Sequence, residues 1–190
     1  MSMQKRHRIF VAINIPSQIK KRLADFEHRY QDIPARWTPA ENLHITMLFL
    51  GSLTDQDLVL VCAAVKNVTQ KHESFNIVLN KIAYGPENKI PPRYIWVGGE
   101  AIEQMQILKK DLEKALFESI RFTLDKNVFT PHITLARIKE WEWRAIEIEE
   151  RPEINENLEL TFTVESLEVM ESELTRQGPR YIVIESHQLQ

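Results

Sequence analysis

Two stretches of the sequence, ENLHITMLFLG (Glu41–Gly51) and FTPHITLAR (Phe129–Arg137), carry nearly the same four residues. They read His-Ile-Thr-Met from His44 and His-Ile-Thr-Leu from His132. Both stretches alternate as β-strands do, so each histidine and the threonine two positions later share one sheet face, about 7 Å apart, while the residue between them faces a core. The repeat predicts two similar halves, each presenting a His/Thr pair from a strand.

The repeated polar residues suit the chemistry of phosphodiesters. Two imidazoles across a cleft can act together, because one takes a proton from water while the other protonates the departing ribose oxygen. An unperturbed histidine pKa of about 6.5 suits both roles near neutral pH. Threonine hydroxyls can donate to phosphate oxygens where negative charge builds in the transition state. The pattern therefore predicts a site built from His44, His132, Thr46 and Thr134.

Two plainer interpretations compete with this one. A lone histidine on a half-exposed strand usually has a structural role, but a second copy with the same threonine offset argues against coincidence. A zinc site at the motifs is disfavoured, because neither copy has the paired-histidine or carboxylate spacing of zinc ligands. We expect neither a metal nor another cofactor in this site.

Composition indicates a soluble globular protein. Of the 190 residues, 43% are hydrophobic and 27% are charged, which are ordinary globular values. The net charge of −3 argues against a protein that binds long nucleic acid mainly through its phosphates. It is compatible with a protein that binds an RNA end. The apolar run Ile9–Ile15 is too short to span a membrane and lacks a cleavage site, so a cytoplasmic protein is expected. Without a Gly/Ser-rich linker, residues 1–190 should form a single domain of two pseudo-repeated lobes.

Residues outside the motifs give weaker signals. The single cysteine, Cys62, lies on an apolar helical face and is predicted to be a buried structural thiol. Four histidines lack the threonine offset and are expected at the surface: His7, His28, His72 and His187. Four other residues are further candidates for nucleotide contact: Arg93, Tyr181, Trp37 and Phe10.

Periodicity predicts alternating strands and helices along the chain. The expected strands cover residues 8–15, 42–50, 75–84, 93–97, 128–137, 158–170 and 181–186. One helix is expected to begin with Ser17 as its cap and a second, over residues 55–71, with Thr54. A third is marked by apolar residues from Ile102 to Leu116, and a short one covers residues 140–146. The turn-rich segment GPENKIPP (Gly85–Pro92) predicts an exposed loop.

The two motif stretches closely resemble the HxTx motifs of the two-histidine (2H) phosphoesterases. Within that superfamily the chain resembles the RNA 2′,3′-cyclic phosphodiesterases, also called 2′-5′ RNA ligase-like proteins. Further similar segments are RIFVAINIP (Arg8–Pro16), YIWVG (Tyr94–Gly98) and VMESELTRQGPRY (Val169–Tyr181). The resemblance spans nearly the whole chain.

This resemblance implies an α+β fold of two duplicated lobes, each an antiparallel β-sheet backed by helices, around a central cleft. It also implies hydrolysis of a 2′,3′-cyclic phosphate to a 2′-phosphomonoester without a metal. By motif position, His44 is then the proton donor and His132 the proton acceptor. Arg137, which closes the second motif, is implied to bind phosphate, although strict alternation turns it away from His132 unless a strand end or bulge re-aims it.

The expected partners are RNA 3′ ends or small cyclic nucleotides, and the expected state is a monomer. Two alternatives to the leading hypothesis stay open. One is a module that binds nucleotides or RNA ends with little turnover. The other keeps the enzyme but changes its substrate, to a cyclic phosphate on an ADP-ribose-like nucleotide or to 2′-5′ joining in the reverse direction. No lysine adenylation motif or Gly-rich phosphate loop is apparent, so ligation is expected only as a minor activity.

Overall fold

The computed structural model describes residues 5–87, 89–124, 128–176 and 178–190. Within these ranges the strands are β1 (His7–Asn14), β2 (Ala35–Trp37), β3 (His44–Leu53), β4 (Phe75–Gly85), β5 (Tyr94–Gly98), β6 (His132–Ile138), β7 (Asn155–Val164), β8 (Ser166–Thr175) and β9 (Gly178–Gln188). The helices are α1 (Ser17–Ala24), α2 (Phe26–Arg29), α3 (Asp55–Thr69), α4 (Glu103–Ser119) and α5 (Glu140–Arg144), with 3-10 turns at Ala40–Asn42 and Ile148–Glu150. None of these described helices is long and apolar enough to cross a membrane.

The strands of the described ranges form one antiparallel sheet. Its order is β7-β4-β5-β6-β3-β1-β8-β9, and β2 also pairs with β6. The sheet has two halves that meet where β3 pairs with β6, and the register there is Ile45 opposite Ile133. The two sheets expected from the sequence are therefore joined by a short pairing into one continuous sheet.

The main hydrophobic core lies on the sheet face that α3 and α4 cover. Ile45 and Ile133 are fully buried in it, together with Val11 of β1. Four α4 residues expected from helical spacing are also fully buried: Met105, Leu108, Leu112 and Leu116. Both halves of the sheet thus share one core, and this core fixes which face of each motif strand points inward.

α3 begins with the cap that the sequence predicts. The Thr54 hydroxyl accepts a hydrogen bond from the Asp57 N–H at 3.2 Å, and the Asp57 carboxylate accepts one from the Thr54 N–H at 3.0 Å. This capping box satisfies N–H groups that the helix itself leaves without partners. The prediction for α1 is wrong, because Ser17 is the first helical residue and Pro16 occupies the cap position.

The long strand expected over residues 158–170 is two strands. β7 ends at Val164, where it pairs with β4, and β8 begins at Ser166 and pairs with β1 and β9. The chain thus crosses from one half of the sheet to the other at Glu165. Periodicity does not reveal this crossing, because the residues of both strands alternate in the same way. The loop predicted at Gly85–Pro92 connects β4 to β5, and Asn88 within it lies outside the described residues.

Two histidines expected at the surface are buried. His7 is 7% exposed; its Nδ1 lies 2.7 Å from Glu171 Oε1, and its Nε2 lies 3.0 Å from Asp55 Oδ1. These acidic partners lie 164 and 48 residues away in the sequence, so only folding brings them together. His187 is 5% exposed and lies on β9.

Replacing Thr54 by alanine should lower the free energy of unfolding by about 1 kcal/mol, because the substitution removes the capping oxygen. Urea denaturation measures this change. The exposed Thr123, which lies outside the helices and strands, provides the matched control Thr123→Ala with an expected change near zero. Equal stability of the two variants would contradict a stabilising cap.

Candidate active site

The face of the sheet opposite α3 and α4, here called the open face, carries both His/Thr pairs. Because Ile45 and Ile133 point into the core, the residues on either side of each isoleucine point to the open face. These residues are His44, Thr46, His132 and Thr134, and all four are half-buried. The antiparallel pairing of the isoleucines sets each histidine beside the threonine of the other strand. Four of the predicted site residues therefore share one surface.

His44 is held in one tautomer by the chain that precedes it. Its Nδ1 donates to the carbonyl oxygen of Asn42 at 2.7 Å, so Nε2 is the acceptor of the neutral ring. The Thr46 hydroxyl lies 3.0 Å from this Nε2 and donates to it. Phe10 and Tyr181 flank the imidazole, each with its ring centroid 5.0 Å away. The ring is fixed in position, and Nε2 is the atom left for proton transfer.

His132 repeats this arrangement on β6. Its Nδ1 donates to the carbonyl oxygen of Thr130 at 2.8 Å, so Nε2 is again the acceptor of the neutral ring. The indole of Trp96 stacks on the imidazole with 3.9 Å between centroids and 24° between planes. Gly85 permits this stack, because a Cβ at that position would collide with the indole. The indole face favours a neighbouring cation, so the stack can stabilise the imidazolium form of His132.

Both imidazoles bind protons weakly in the ligand-free protein. Burial lowers the pKa of His44 to about 4; the hydrogen bond to Asn42 opposes this shift, and the charges of Lys20 and His132 add to it. Burial also lowers the pKa of His132, against the opposing hydrogen bond to Thr130. Both rings are therefore mainly neutral near pH 7. A bound anion acts in the opposite direction, because negative charge stabilises imidazolium.

A β-bulge decides which face Arg137 occupies. Between the pairings of Arg137 with Tyr94 and of His132 with Gly98, β6 has one residue more than β5, and that residue is Leu135. The Leu135 carbonyl oxygen accepts a hydrogen bond from the Thr38 N–H at 2.8 Å. The extra residue shifts the alternation by one, so the exposed Arg137 lies on the open face. Strict alternation is wrong here because the partner strand sets the register.

β3 has a bulge at the same position of its motif. Met47 is an extra residue relative to β1, and its carbonyl oxygen accepts a hydrogen bond from Lys109 Nζ of α4 at 3.1 Å. Phe49 consequently leaves the core side where alternation placed it. The residue is 68% exposed, and its ring centroid lies 6.1 Å from that of Phe10. Phe49 has the motif position that Arg137 has in the other half. One half therefore offers an apolar group and the other a cation.

Three residues that the sequence analysis did not assign to the site shape it. Trp96 stacks on His132, and the alternation of YIWVG could have placed it on the open face. Asn42 is buried, and its side-chain nitrogen donates to the Pro179 carbonyl oxygen at 2.8 Å, which ties the start of β3 to β9. Arg36 of β2 lies opposite Arg137 of β6 in the backbone register, and the Arg36 guanidinium lies against Gly178. The contacts of Asn42 with Pro179 and of Arg36 with Gly178 join segments far apart in the chain, so no local sequence pattern predicts them.

The further candidates for nucleotide contact divide into two groups. Phe10 and Tyr181 lie beside His44, and their own rings are 5.2 Å apart in an edge-to-face contact. Trp37 packs against the main core, and the backbone N–H of Arg93 bonds to the Gly85 carbonyl oxygen just before β5. Of these four candidates, Phe10 and Tyr181 are the pair that the structure places against a motif histidine.

The open face combines two Nε2 atoms, two hydroxyls and a guanidinium. This set suits proton transfer and the binding of an anion. Within the described ranges, neither motif histidine belongs to a group of three or more metal-ligating side chains. The chemistry that these residues offer by themselves is general acid–base catalysis.

Comparison with known proteins identifies a family. The model of the LigT-like phosphoesterases matches residues 10–96 and 99–181. A curated RNA 2′,3′-cyclic phosphodiesterase of Thermotoga maritima is 27% identical over 183 residues, which cover 93% of this chain and 92% of that protein. One of Methanocaldococcus jannaschii with the same name is 28% identical over 178 residues, covering 93% and 98%.

Solved structures share the fold. A crystal structure of a Thermus thermophilus protein superposes with a TM-score of 0.81 at 26% identity, covering 96% of this chain and 97% of that one. That of E. coli LigT complexed with 3′-AMP gives a TM-score of 0.78 at 22% identity, covering 97% and 99%. The resemblance to 2H phosphoesterases and the expected α+β fold are confirmed. The chain belongs to the LigT-like phosphoesterase family and is a phosphoesterase.

Proposed function

We propose that this phosphoesterase opens RNA 2′,3′-cyclic phosphodiester ends to 2′-phosphomonoesters, without a metal in the reaction. The observation that carries the proposal is the matched pair of imidazoles on the open face, each with Nδ1 bound to a backbone carbonyl and Nε2 left for proton transfer. The names of the curated relatives from Thermotoga maritima and Methanocaldococcus jannaschii support the choice of substrate.

In the proposed reaction His132 acts as the base and His44 as the acid. Nε2 of His132 takes a proton from water as the water oxygen bonds to phosphorus. The bond from phosphorus to the ribose 3′ oxygen breaks, and Nε2 of protonated His44 gives its proton to that oxygen. The products are a 2′-phosphate and a 3′ hydroxyl. Exchange with solvent then resets both histidines.

The other residues act on the phosphate in this proposal. Protonated His44 no longer accepts from Thr46, so the hydroxyls of Thr46 and Thr134 can both donate to non-bridging oxygens, and the Arg137 guanidinium binds the same anion. This negative charge also raises the proton affinity of His44, which burial keeps neutral in the free protein. Substrate binding thereby prepares the acid that the reaction needs.

We extend the proposal to the setting of the enzyme. Residues 1–190 act as one domain of two pseudo-repeated lobes, since each lobe supplies one histidine. The enzyme works as a cytoplasmic monomer on RNA 3′ ends or small cyclic nucleotides. Joining of a 5′ hydroxyl to the cyclic phosphate follows the same steps with that hydroxyl in place of water as the attacking group, leaves a 2′-5′ linkage and a 3′ hydroxyl, and is a minor activity. Sedimentation at the mass of one chain tests the monomer, and a mass of two chains would contradict it.

Alanine at either motif histidine should slow hydrolysis of an RNA bearing a 2′,3′-cyclic phosphate by about a hundredfold or more, because each ring supplies acid–base catalysis. The assay contains EDTA and identifies the phosphomonoester formed by the wild type, His44→Ala and His132→Ala. His28→Ala, at an exposed position, is the control with unchanged rate. Losses of tenfold or less in folded variants would refute these roles. Nucleotide binding by the wild type without turnover would instead indicate a binding module.

The proton affinity of His44 should change when ligand binds. In the free protein its ring should titrate near pH 4, so it is neutral above that pH. A bound nucleoside 2′-monophosphate should raise this pKa, because the phosphate charge stabilises the imidazolium form. NMR titration of the histidine side chains with and without ligand measures both values, with exposed His28 as reference. A His44 pKa that stays low in the complex would contradict its role as proton donor.

Replacing Arg137 by alanine should raise KM by roughly tenfold to a hundredfold, because hydrogen bonds between charged groups contribute about 1.5–3 kcal/mol. If the phosphate is held equally in ground and transition states, kcat should change little. Arg137→Lys keeps the charge but loses the planar fork, so it should recover only part of the affinity. Steady-state kinetics on the cyclic phosphate measure KM and kcat for the wild type and both variants. An unchanged KM in Arg137→Ala would place the guanidinium outside the phosphate site.

A further inference from the structure

A cysteine, a glutamate and a histidine meet between α3 and β9. Cys62 lies on α3, whereas Glu185 and His187 lie two residues apart on β9. The Sγ atom, a carboxylate oxygen and an imidazole nitrogen of these residues all lie within 4.8 Å of one another. β9 pairs Glu185 with Val169 and His187 with Leu167, both fully buried in the main core. Paired residues share a face, so this trio lies on the side opposite the motif histidines.

His187 has an unsatisfied nitrogen. The residue is 5% exposed, and its buried Nε2 has no hydrogen-bond partner within the described part of the chain. Glu185 Oε2 lies 3.9 Å away, which is too far for a hydrogen bond. Buried polar atoms are nearly always paired, so an unpaired imidazole nitrogen beside a thiol and a carboxylate points to a ligand that binds all three.

Binding of a cation by Cys62 requires the thiol to lose its proton. Burial, followed by the hydrogen bond and negative charge of Glu185, raises the pKa of the Cys62 thiol to about 12. A divalent metal reverses this balance, because it stabilises the thiolate and turns Glu185 from a repelling charge into a second ligand. The thiol proton passes to solvent as the metal–sulfur bond forms.

We propose that Cys62, Glu185 and His187 bind a divalent ion of the zinc type, with water as the fourth ligand. Thiolate, imidazole and carboxylate are ligand types that zinc combines. Zinc–ligand distances of about 2.0–2.3 Å require ligand atoms roughly 3.3–3.7 Å apart. Because the three atoms lie within 4.8 Å of one another, each pair must close by at most about 1.5 Å. The Glu185 side chain is 49% exposed, which leaves it room to move. The ion links α3 to β9, the last strand in the sheet order, and takes no part in phosphate hydrolysis.

The absorption spectrum of bound Co²⁺ tests whether Cys62 is a metal ligand. The chain has a single cysteine, so any thiolate-to-cobalt charge-transfer band reports Cys62 alone. We expect metal-stripped protein to develop this band on titration with Co²⁺, to saturate at one ion per chain, and to lose the band when Zn²⁺ is added. Zinc at a hundredfold excess over its Kd should raise the thermal midpoint by roughly 5–10 °C. Absence of the charge-transfer band in the folded wild type would overturn the proposal.

Variants test the other two ligands. Glu185→Gln at a half-exposed position and His187→Gln should each weaken Co²⁺ binding at least tenfold, whereas His72→Ala, at a histidine paired with Asp111, should retain it. If His187→Gln does not fold, the spectrum of Glu185→Gln still decides. Unchanged affinity in Glu185→Gln would refute the site. Hydrolysis by the wild type in EDTA should continue, so this proposal and the proposed function can fail separately.

Discussion

The short antiparallel pairing of Ile45 with Ile133 is the contact on which the rest of the site depends. Both side chains are fully buried, so the hydrophobic effect fixes the inward face of each motif strand. Once that face is fixed, the neighbouring histidine and threonine on each strand must point to the open face. Backbone pairing at the same point brings the two strands side by side. Neither half could assemble this surface alone, because each contributes one histidine.

The bulges at Leu135 and Met47 place Arg137 and Phe49 on the open face, which regular strands would not do. An uninterrupted β6 would turn Arg137 towards the core, and an uninterrupted β3 would do the same to Phe49. Each bulge leaves a carbonyl oxygen outside the ladder, and each oxygen has a partner elsewhere: the Thr38 N–H for Leu135 and Lys109 Nζ for Met47. These hydrogen bonds offset the cost of interrupting the ladder. The duplicated motif therefore includes a duplicated distortion of its backbone.

Each motif histidine combines an aromatic neighbour against its ring with a backbone hydrogen bond at Nδ1. Aromatic rings pack on both imidazoles and remove them from water, which lowers their pKa values. Backbone carbonyls two residues earlier hold Nδ1 of each ring and so select the tautomer. On the other face of the sheet, His187 is buried beside Cys62 and Glu185, and its Nε2 has no hydrogen-bond partner among the residues that the structure describes. Desolvation thus lowers the pKa values of the motif imidazoles, and at His187 it leaves the unpaired nitrogen on which the proposed metal site rests.

Local sequence determined the motif strands, the apolar face of α4, the Thr54 cap and four polar residues of the site, because strand and helix periods and capping depend on near neighbours. The resemblance of the motifs also identified the family. Tertiary structure alone decided the joining of the two sheets, the division of the 158–170 strand at Glu165 and the burial of His7, since each depends on partners far away in the chain. It also decided the face of Arg137, because a bulge is defined by the residue count of the opposite strand, and no single strand carries that information.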